Sequence, residues 1–361
     1  MLDPDATAWF AGVRARGAIE TVDLADRPDG LVRPGWWAVV GEFEGRVRAW
    51  RFADVRVDTT HREPHHEPAW TGPDTGAWSS SMVREQYEAG VETVRARIRA
   101  GDVYQVNLCR VLRAHLPAPP RGPDAWELGR VLAAGNPAPY QGGVQVGPSE
   151  EDSGVWVVTA SPELYLSVDS GTITTGPIKG TAADVAGLTA KDRAENVMIT
   201  DLVRNDLQRV CLPGSVDVTT LLGEERHPGL VHLVSTVTGR LDPEVARAPD
   251  GWRRVLDATY PPGSVSGAPK SSALRLIGEL EPVPRGPYCG TVGWVHVRGD
   301  GSVAARLAVG IRTFWWSAGV LRFGTGAGIT WGSDPSAEWR ETELKAARLV
   351  GLASSGPRGR R

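Results

Sequence analysis

The sequence predicts an α+β fold. Strand-like runs cluster towards both ends of the chain, the helical stretches fall between them at irregular intervals, and no repeat of roughly 20 to 50 residues recurs. A strict βα alternation, the mark of a parallel sheet, is missing. With 361 residues, 23% charged and 41% hydrophobic, the composition is globular, and the length can bury a full-sized core.

The elements follow in order. Residues 1 to about 56 alternate short apolar runs such as WWAVVGEF and VRAWRF with turn residues, which reads as strands. Residues 57–81 are rich in Pro, His, Gly and Ser and read as a loop; His61, His65 and His66 fall there, in irregular polar sequence rather than a metal-binding pattern. The spacing of Tyr87, Val91, Val94 and Ile98 predicts a helix over Val83–Arg99. Strands are expected at Tyr104–Leu112, Val155–Thr159, Leu164–Val168, Thr172–Thr175, Thr291–Val297, Ala304–Phe314 and Val320–Gly324. Helices are expected at about Ala190–Val210, Ser271–Glu279 and Pro335–Leu352, and the tail SSGPRGRR should fray. The expected organisation is an N-terminal region, 1–82, a main domain, 83–353, and a flexible tail, 354–361.

Charge and cysteine content narrow the function. Forty basic against forty-three acidic residues, a net charge of −3, give no general attraction to nucleic acid. Three cysteines, far apart and without a CxxC, argue against a disulfide framework or a thiolate zinc site and fit a reducing compartment. No apolar run approaches the roughly 20 residues that span a bilayer, and the acidic start MLDPDATAWF lacks a secretory layout. A soluble cytoplasmic protein is expected.

Only four lysines stand among thirty-six arginines: Lys179, Lys191, Lys270 and Lys345. Arginine serves a solvated surface as well as lysine does, but only lysine can lose its proton on burial and become a nucleophile. Each of the four lies in a Gly-, Pro- or carboxylate-dense segment. Lys179 follows a strand in GPIKG, on an expected turn. Lys270 ends the Pro-Gly turn YPPGSVSGAPK before a helix, where a helix N-terminus and an ammonium could face an anion. On the helix from Ala190, capped by a Thr189–Asp192 pair, the apolar stripe of Ile199, Leu202 and Val203 turns Glu195 and Asp206 towards the buried side. Buried carboxylates need a partner, either arginine or metal. On the last helix Glu338, Glu341 and Lys345 fall within about 60° of one another. Two carboxylates and an ammonium there suit a hard divalent cation and an anion, although a solvated Glu341–Lys345 pair is the plainer reading. Gly324–Gly328 (GTGAG) reads first as a tight turn and second as an anion-facing backbone. His232, in VHLVST, reads first as a core histidine.

Six motifs in order, GDVYQVNL, SPELY, PIKGT, KDRAENVMITDLVRND, PPGSVSGAPK and GAGITWGSDPSAEWRETELK, make residues 83–353 resemble the chorismate-utilising enzymes. The resemblance implies one α+β domain of two large antiparallel sheets packed face to face, with helices outside, as in anthranilate synthase component I. Lys179 in PIKGT stands where anthranilate synthases typically carry alanine, and Gln105 in GDVYQVNL stands where isochorismate and salicylate synthases carry a water-activating lysine. Within the family the chain therefore resembles aminodeoxychorismate synthase component I. Anthranilate synthase component I or an aminodeoxyisochorismate synthase is the enzymatic alternative, and a non-catalytic chorismate-binding subunit the alternative from another class.

That resemblance implies specific roles. Glu195, Glu341 and Glu338 would hold Mg2+, which grips the ring carboxylate of chorismate together with Lys345 and the backbone of Gly326 and Gly328. Tyr288 and Arg312 would hold the pyruvyl carboxylate, with Thr181 also contacting substrate. Lys179 would attack C2 while Glu163, in SPELY, protonates the departing C4 hydroxyl, and His232 would sit near that leaving group. Ammonia, supplied by a separate glutamine amidotransferase subunit, would then attack C4 and expel Lys179, giving 4-amino-4-deoxychorismate for 4-aminobenzoate and folate synthesis. No glutaminase or lyase segment is recognisable in the sequence. NPAPY resembles part of the family's tryptophan pocket, but the LLES-like segment that accompanies it is missing. The stretch between Trp294 and Arg312 is slightly long for the family, which puts its strand geometry in question.

Overall fold

The computed structural model describes residues 2–10, 12–57, 69–150, 152–182, 184–227 and 230–354, without the side chains of Thr181, Arg226, His227 and Leu230. The expectations placed on His61, His65, His66 and the tail from Ser355 lie outside these residues. Eighteen strands are found among them: β1 (Asp3–Phe10), β2 (Val13–Asp23), β3 (Gly35–Gly41), β4 (Val47–Val57), β5 (Ser79–Ser80), β6 (Gln105–His115), β7 (Tyr140–Val146), β8 (Val155–Ser161), β9 (Leu164–Asp169), β10 (Thr172–Gly176), β11 (Ile178–Ala182), β12 (Asp217–His227), β13 (Leu230–Arg240), β14 (Gly267–Ala268), β15 (Thr291–Val297), β16 (Val303–Val309), β17 (Thr313–Ser317) and β18 (Val320–Ile329). Seven helices accompany them: α1 (Arg84–Ala100), α2 (Ala125–Gly135), α3 (Ala190–Gln208), α4 (Pro243–Ala246), α5 (Gly251–Thr259), α6 (Lys270–Leu280) and α7 (Pro335–Ala353).

All the ladders are antiparallel, and they form one continuous ribbon. It runs β6–β18–β17–β8–β7–β1–β2–β4–β3–β15–β16–β9–β10–β13–β12, with β11 joining at β13. The strands of residues 3–57 thus sit in the middle of the ribbon and connect its two arms. Trp37 and Val39 of β3, Leu166 of β9 and Leu307 of β16 share one buried core with Val106 and Leu108 of β6 and Ala327 and Ile329 of β18. The two arms are the two expected sheets, and they share that core. Each such aliphatic side chain contributes about 1.5–3 kcal/mol on burial. Outside the ribbon, α1 lies on α7, α7 on β18, and α3 on β11 and β13.

Three expectations need correcting. Gly324–Gly328 is not a turn: β18 runs through it to Ile329, each residue opposite one of β6 from Val111 to Val106. Glycine is unfavourable in a strand, but here it leaves room that side chains would fill. The single strand expected over Ala304–Phe314 is two, because the chain breaks at Gly310–Arg312, where Arg312 has φ 51°. Lys179 lies not on a turn but within β11. Register slips between Ile178 and Thr181, where Gly180 adopts φ 85°, and such a bulge re-aims a side chain.

Helices α2 and α5 and strand β12 add to the expected elements, whereas β13 contains the apolar strand VHLVST. Asp124 caps α2 through the Trp126 and Glu127 N–H groups, a signal visible in DAWE.

Candidate active site

Lys179 is the organising residue. Its Nζ donates to the Ser264 carbonyl at 2.8 Å. A Cβ placed on Gly328 would lie 3.8 Å from that nitrogen, so the amine rests over β18. Burial holds its pKa below the ordinary lysine value, against the pull of Glu163 and Glu195; Lys345 pushes the same way as burial.

Glu163 is buried at the start of β9, and burial raises its pKa. The Ser264 side chain, the Lys179 ammonium and the Ile178 backbone oppose that rise. Its Oε1 is buried without a hydrogen-bond partner. Ser264 therefore meets both groups, the amine through its carbonyl and the acid through its side chain. Ser264 carries no signal of its own in the sequence. The segment PPGSVSGAPK points instead to Lys270, yet Lys270 Nζ is held by Asp206 Oδ2 at 2.7 Å and the Thr259 carbonyl at 2.9 Å. That pair is structural, so Lys270 does not supply the expected anion site, and it explains how Asp206 tolerates burial.

The row Gly324, Gly326, Gly328 makes a floor bare of side chains. Added Cβ atoms would meet the Tyr288 ring at 2.0 Å, Cys109 Sγ at 2.5 Å and Gln105 Nε2 at 2.4 Å in turn. Tyr288 thus packs at one end of the floor and Lys179 at the other. Gln105, 1% exposed, lies against Gly328 beside Lys179, and its Oε1 is another buried oxygen without a partner. An amide at this position has no basic nitrogen with which to activate water. Lys345 Nζ donates to the Gly326 carbonyl at 3.1 Å and pairs with Glu341 at 2.6 Å.

The acidic groups divide in two. Glu195 on α3 and Glu338 on α7 converge on Lys191, whose Nζ lies 3.6 Å from an oxygen of each. Glu195 Oε1 is buried without a hydrogen bond, and burial raises the Glu195 pKa. Glu341 is half-exposed and engaged with Lys345. Among the described residues no three acidic, histidine or cysteine side chains come together as a metal cluster. Glu195 and Glu338, two largely buried carboxylates already sharing one cation, nevertheless offer the hard oxygen donors that a divalent ion takes, with water completing its shell.

The remaining residues are placed as follows. The Tyr288 and Arg312 turns are bonded to each other, Cys289 N donating to the Gly310 carbonyl and Gly310 N to the Gly290 carbonyl, both at 2.9 Å. Val309 N donates to the Glu163 carbonyl at 3.0 Å, tying the acid to the same corner. Tyr288 is buried, and burial raises its pKa well above the ordinary tyrosine value. Arg312 is half-buried, desolvation lowers its pKa, and no acidic side chain among the described residues pairs with it. His232 is buried in β13, its backbone opposite Thr181 of β11 and Glu225 of β12.

This geometry, an amine and an acid over a bare strand with cations nearby, has close relatives. Residues 35–351 match the family model described as chorismate binding enzyme. The chain belongs to the chorismate-binding enzyme family. It is similar to aminodeoxychorismate synthase component 1 of Klebsiella aerogenes, 37% identical over 91% of this chain and 71% of that protein. Anthranilate synthase component 1 of Streptomyces coelicolor is 38% identical over 76% of this chain and 53% of that protein. Among solved structures, anthranilate synthase component I from Streptococcus pneumoniae superposes with a TM-score of 0.72 at 26% identity, covering 96% of this chain and 90% of that one. An isochorismate synthase from Bacillus anthracis, at 21% identity, shares the fold with a TM-score of 0.76 over 98% of this chain and 96% of that one.

Within this family member, clefts of about 660 and 700 Å3 lie elsewhere, lined by residues such as Phe43 and Leu256 or Arg113 and Trp316. No helix among the described residues is long and apolar enough to cross a membrane.

Proposed function

We propose that the protein is an aminodeoxychorismate synthase component I, converting chorismate and ammonia to 4-amino-4-deoxychorismate and water. The observation that carries this reading is Lys179. A lysine sits over Gly328 with its proton disfavoured by burial, beside an acid, Glu163, whose proton is favoured by burial. Neutral amine and protonated acid are the forms that nucleophilic attack and leaving-group protonation require.

In this reading the Lys179 nitrogen forms a bond to C2 of chorismate as the ring double bonds shift and the C4–O bond breaks. Glu163 delivers its proton to the departing hydroxyl, which leaves as water. The adduct nitrogen passes its extra proton back to Glu163; ammonia then adds at C4, the double bonds shift back, the C2–N bond breaks, and the proton shed by the new C4 ammonium goes to the departing nitrogen, so that Lys179 recovers its neutral amine. Arg312 grips the pyruvyl carboxylate beside Tyr288, Lys345 and the β18 backbone face the ring carboxylate, His232 borders the leaving group, and Thr181 contacts substrate. Glu195 and Glu338, with Glu341 through water, would hold Mg2+, which supplies Lewis-acid stabilisation of ring charge when bound. The name "component 1" of the relatives supports a partner subunit, and a glutamine amidotransferase is the natural ammonia source, since free ammonia is mostly ammonium at neutral pH.

Purified protein with chorismate, MgCl2 and ammonium salt should yield 4-amino-4-deoxychorismate by liquid chromatography and mass spectrometry. Anthranilate or isochorismate as the main product would reject the assignment.

A further inference from the structure

We infer that Lys191 is a built-in cation that occupies the divalent-metal locus and is displaced when Mg2+ binds, which sets the affinity of the site. The inference rests on the magnesium reading above and deepens it. Two carboxylates from distant parts of the chain, Glu195 on α3 and Glu338 on α7, each place Oε1 3.6 Å from the same ammonium nitrogen. Glu338 is 6% and Glu195 15% exposed at the side chain, whereas Lys191 is 48% exposed.

Three features separate a removable plug from an ordinary structural ion pair. The contacts are loose: charge-assisted N–H···O bonds run about 2.7–2.9 Å, and Glu195 Oε1 is buried with no hydrogen bond at all. Lys270 and Asp206, at 2.7 Å, show what a closed pair looks like in the same protein. Lys191 also lies in the first turn of α3, inside the Thr189–Asp192 capping box. Helix polarity disfavours a cation there, so the two carboxylates hold the side chain in place, and its exposed stem can swing into water once they are otherwise neutralised.

A divalent ion drawing the two oxygens together must drive Lys191 outward. Metal binding therefore replaces one charge by two rather than filling an empty acidic pair. Apo protein is spared two unpaired buried carboxylates, and affinity for the metal is lower than the carboxylates alone would give.

The test is titration of metal-free protein with MgCl2 alone, followed by calorimetry and by the metal-induced shift in melting temperature. Lys191→Met should bind Mg2+ more tightly, on the order of tenfold from the removed repulsion, and should gain more in melting temperature than the wild type. Lys191→Arg, which keeps the charge, should bind as weakly as the wild type. Lys191→Gln serves the same comparison if the Met variant does not fold. Tighter binding is an outcome that a merely structural salt bridge cannot give, since its loss would weaken or leave unchanged the metal affinity. Wild type that binds Mg2+ while the Met and Gln variants bind no better overturns the plug and leaves the magnesium reading standing. Wild type and variants that all fail to bind Mg2+ overturn both.

Discussion

Lys179 and Glu163 meet at one residue, Ser264, whose carbonyl accepts from the amine at 2.8 Å and whose side chain opposes the rise that burial imposes on the acid. Burial pushes the two in opposite directions, the lysine down and the glutamate up, so both lean towards the uncharged state. Each also favours the charge of the other, which keeps them coupled.

The pair predicts a bell-shaped pH profile. The reacting form carries neutral Lys179 and protonated Glu163, so the rate rises as Lys179 loses its proton and falls as Glu163 loses its own. The lowered lysine and raised glutamate values bring the two limbs closer. Glu163→Gln should cost about 10²–10⁴ in kcat, and its residual activity should no longer fall on the alkaline side. Persistence of that fall would remove Glu163 from the acid role.

Lys179→Ala and Lys179→Arg should both lose the covalent chorismate adduct, seen as a mass shift of intact protein during turnover. Arginine keeps the charge but cannot be deprotonated. An unchanged adduct in either variant would show that another residue is the nucleophile.

Gly328→Ala should impair the site with modest damage to the fold. The added Cβ would lie 2.4 Å from Gln105 Nε2 and 3.8 Å from Lys179 Nζ. Overpacking of this kind costs about 1–3 kcal/mol, to be read by urea denaturation. The paired change Gln105→Ala should recover stability; failure to recover it would place the strain elsewhere.

Arg312→Lys should raise the KM for chorismate by roughly tenfold or more through loss of a two-pronged grip, with a smaller effect on kcat. The backbone there, at φ 51°, is one that glycine adopts freely. Arg312→Gly should therefore keep the melting temperature while losing the same affinity. A KM unchanged in both variants would exclude this guanidinium from carboxylate binding.

Lys270→Met leaves Asp206 buried and unpaired, and should cost about 3–5 kcal/mol. Adding Asp206→Leu should restore much of this in urea denaturation. If the single variant is as stable as the wild type, the pair is not structural.

Much of this was legible along the chain because it is written locally. The 3.6-residue stripes of α1, α3 and α7, the Thr189–Asp192 cap and strands such as Thr291–Val297 depend on neighbours a few residues apart, and Lys179 drew attention as one of four lysines among many arginines. Tertiary structure decided what lies far apart in sequence. GTGAG looks like a turn until β6 supplies its partner strand, because only cross-strand pairing distinguishes an extended glycine run from a loop. Lys270, Lys191 and Lys345 are equivalent ammoniums in the sequence. Asp206, the Glu195–Glu338 pair and Gly326 give them three different tasks. Pairing energies and burial depend on distances that no local pattern encodes, and the protonation of Lys179 is itself set by how deeply the folded chain encloses it.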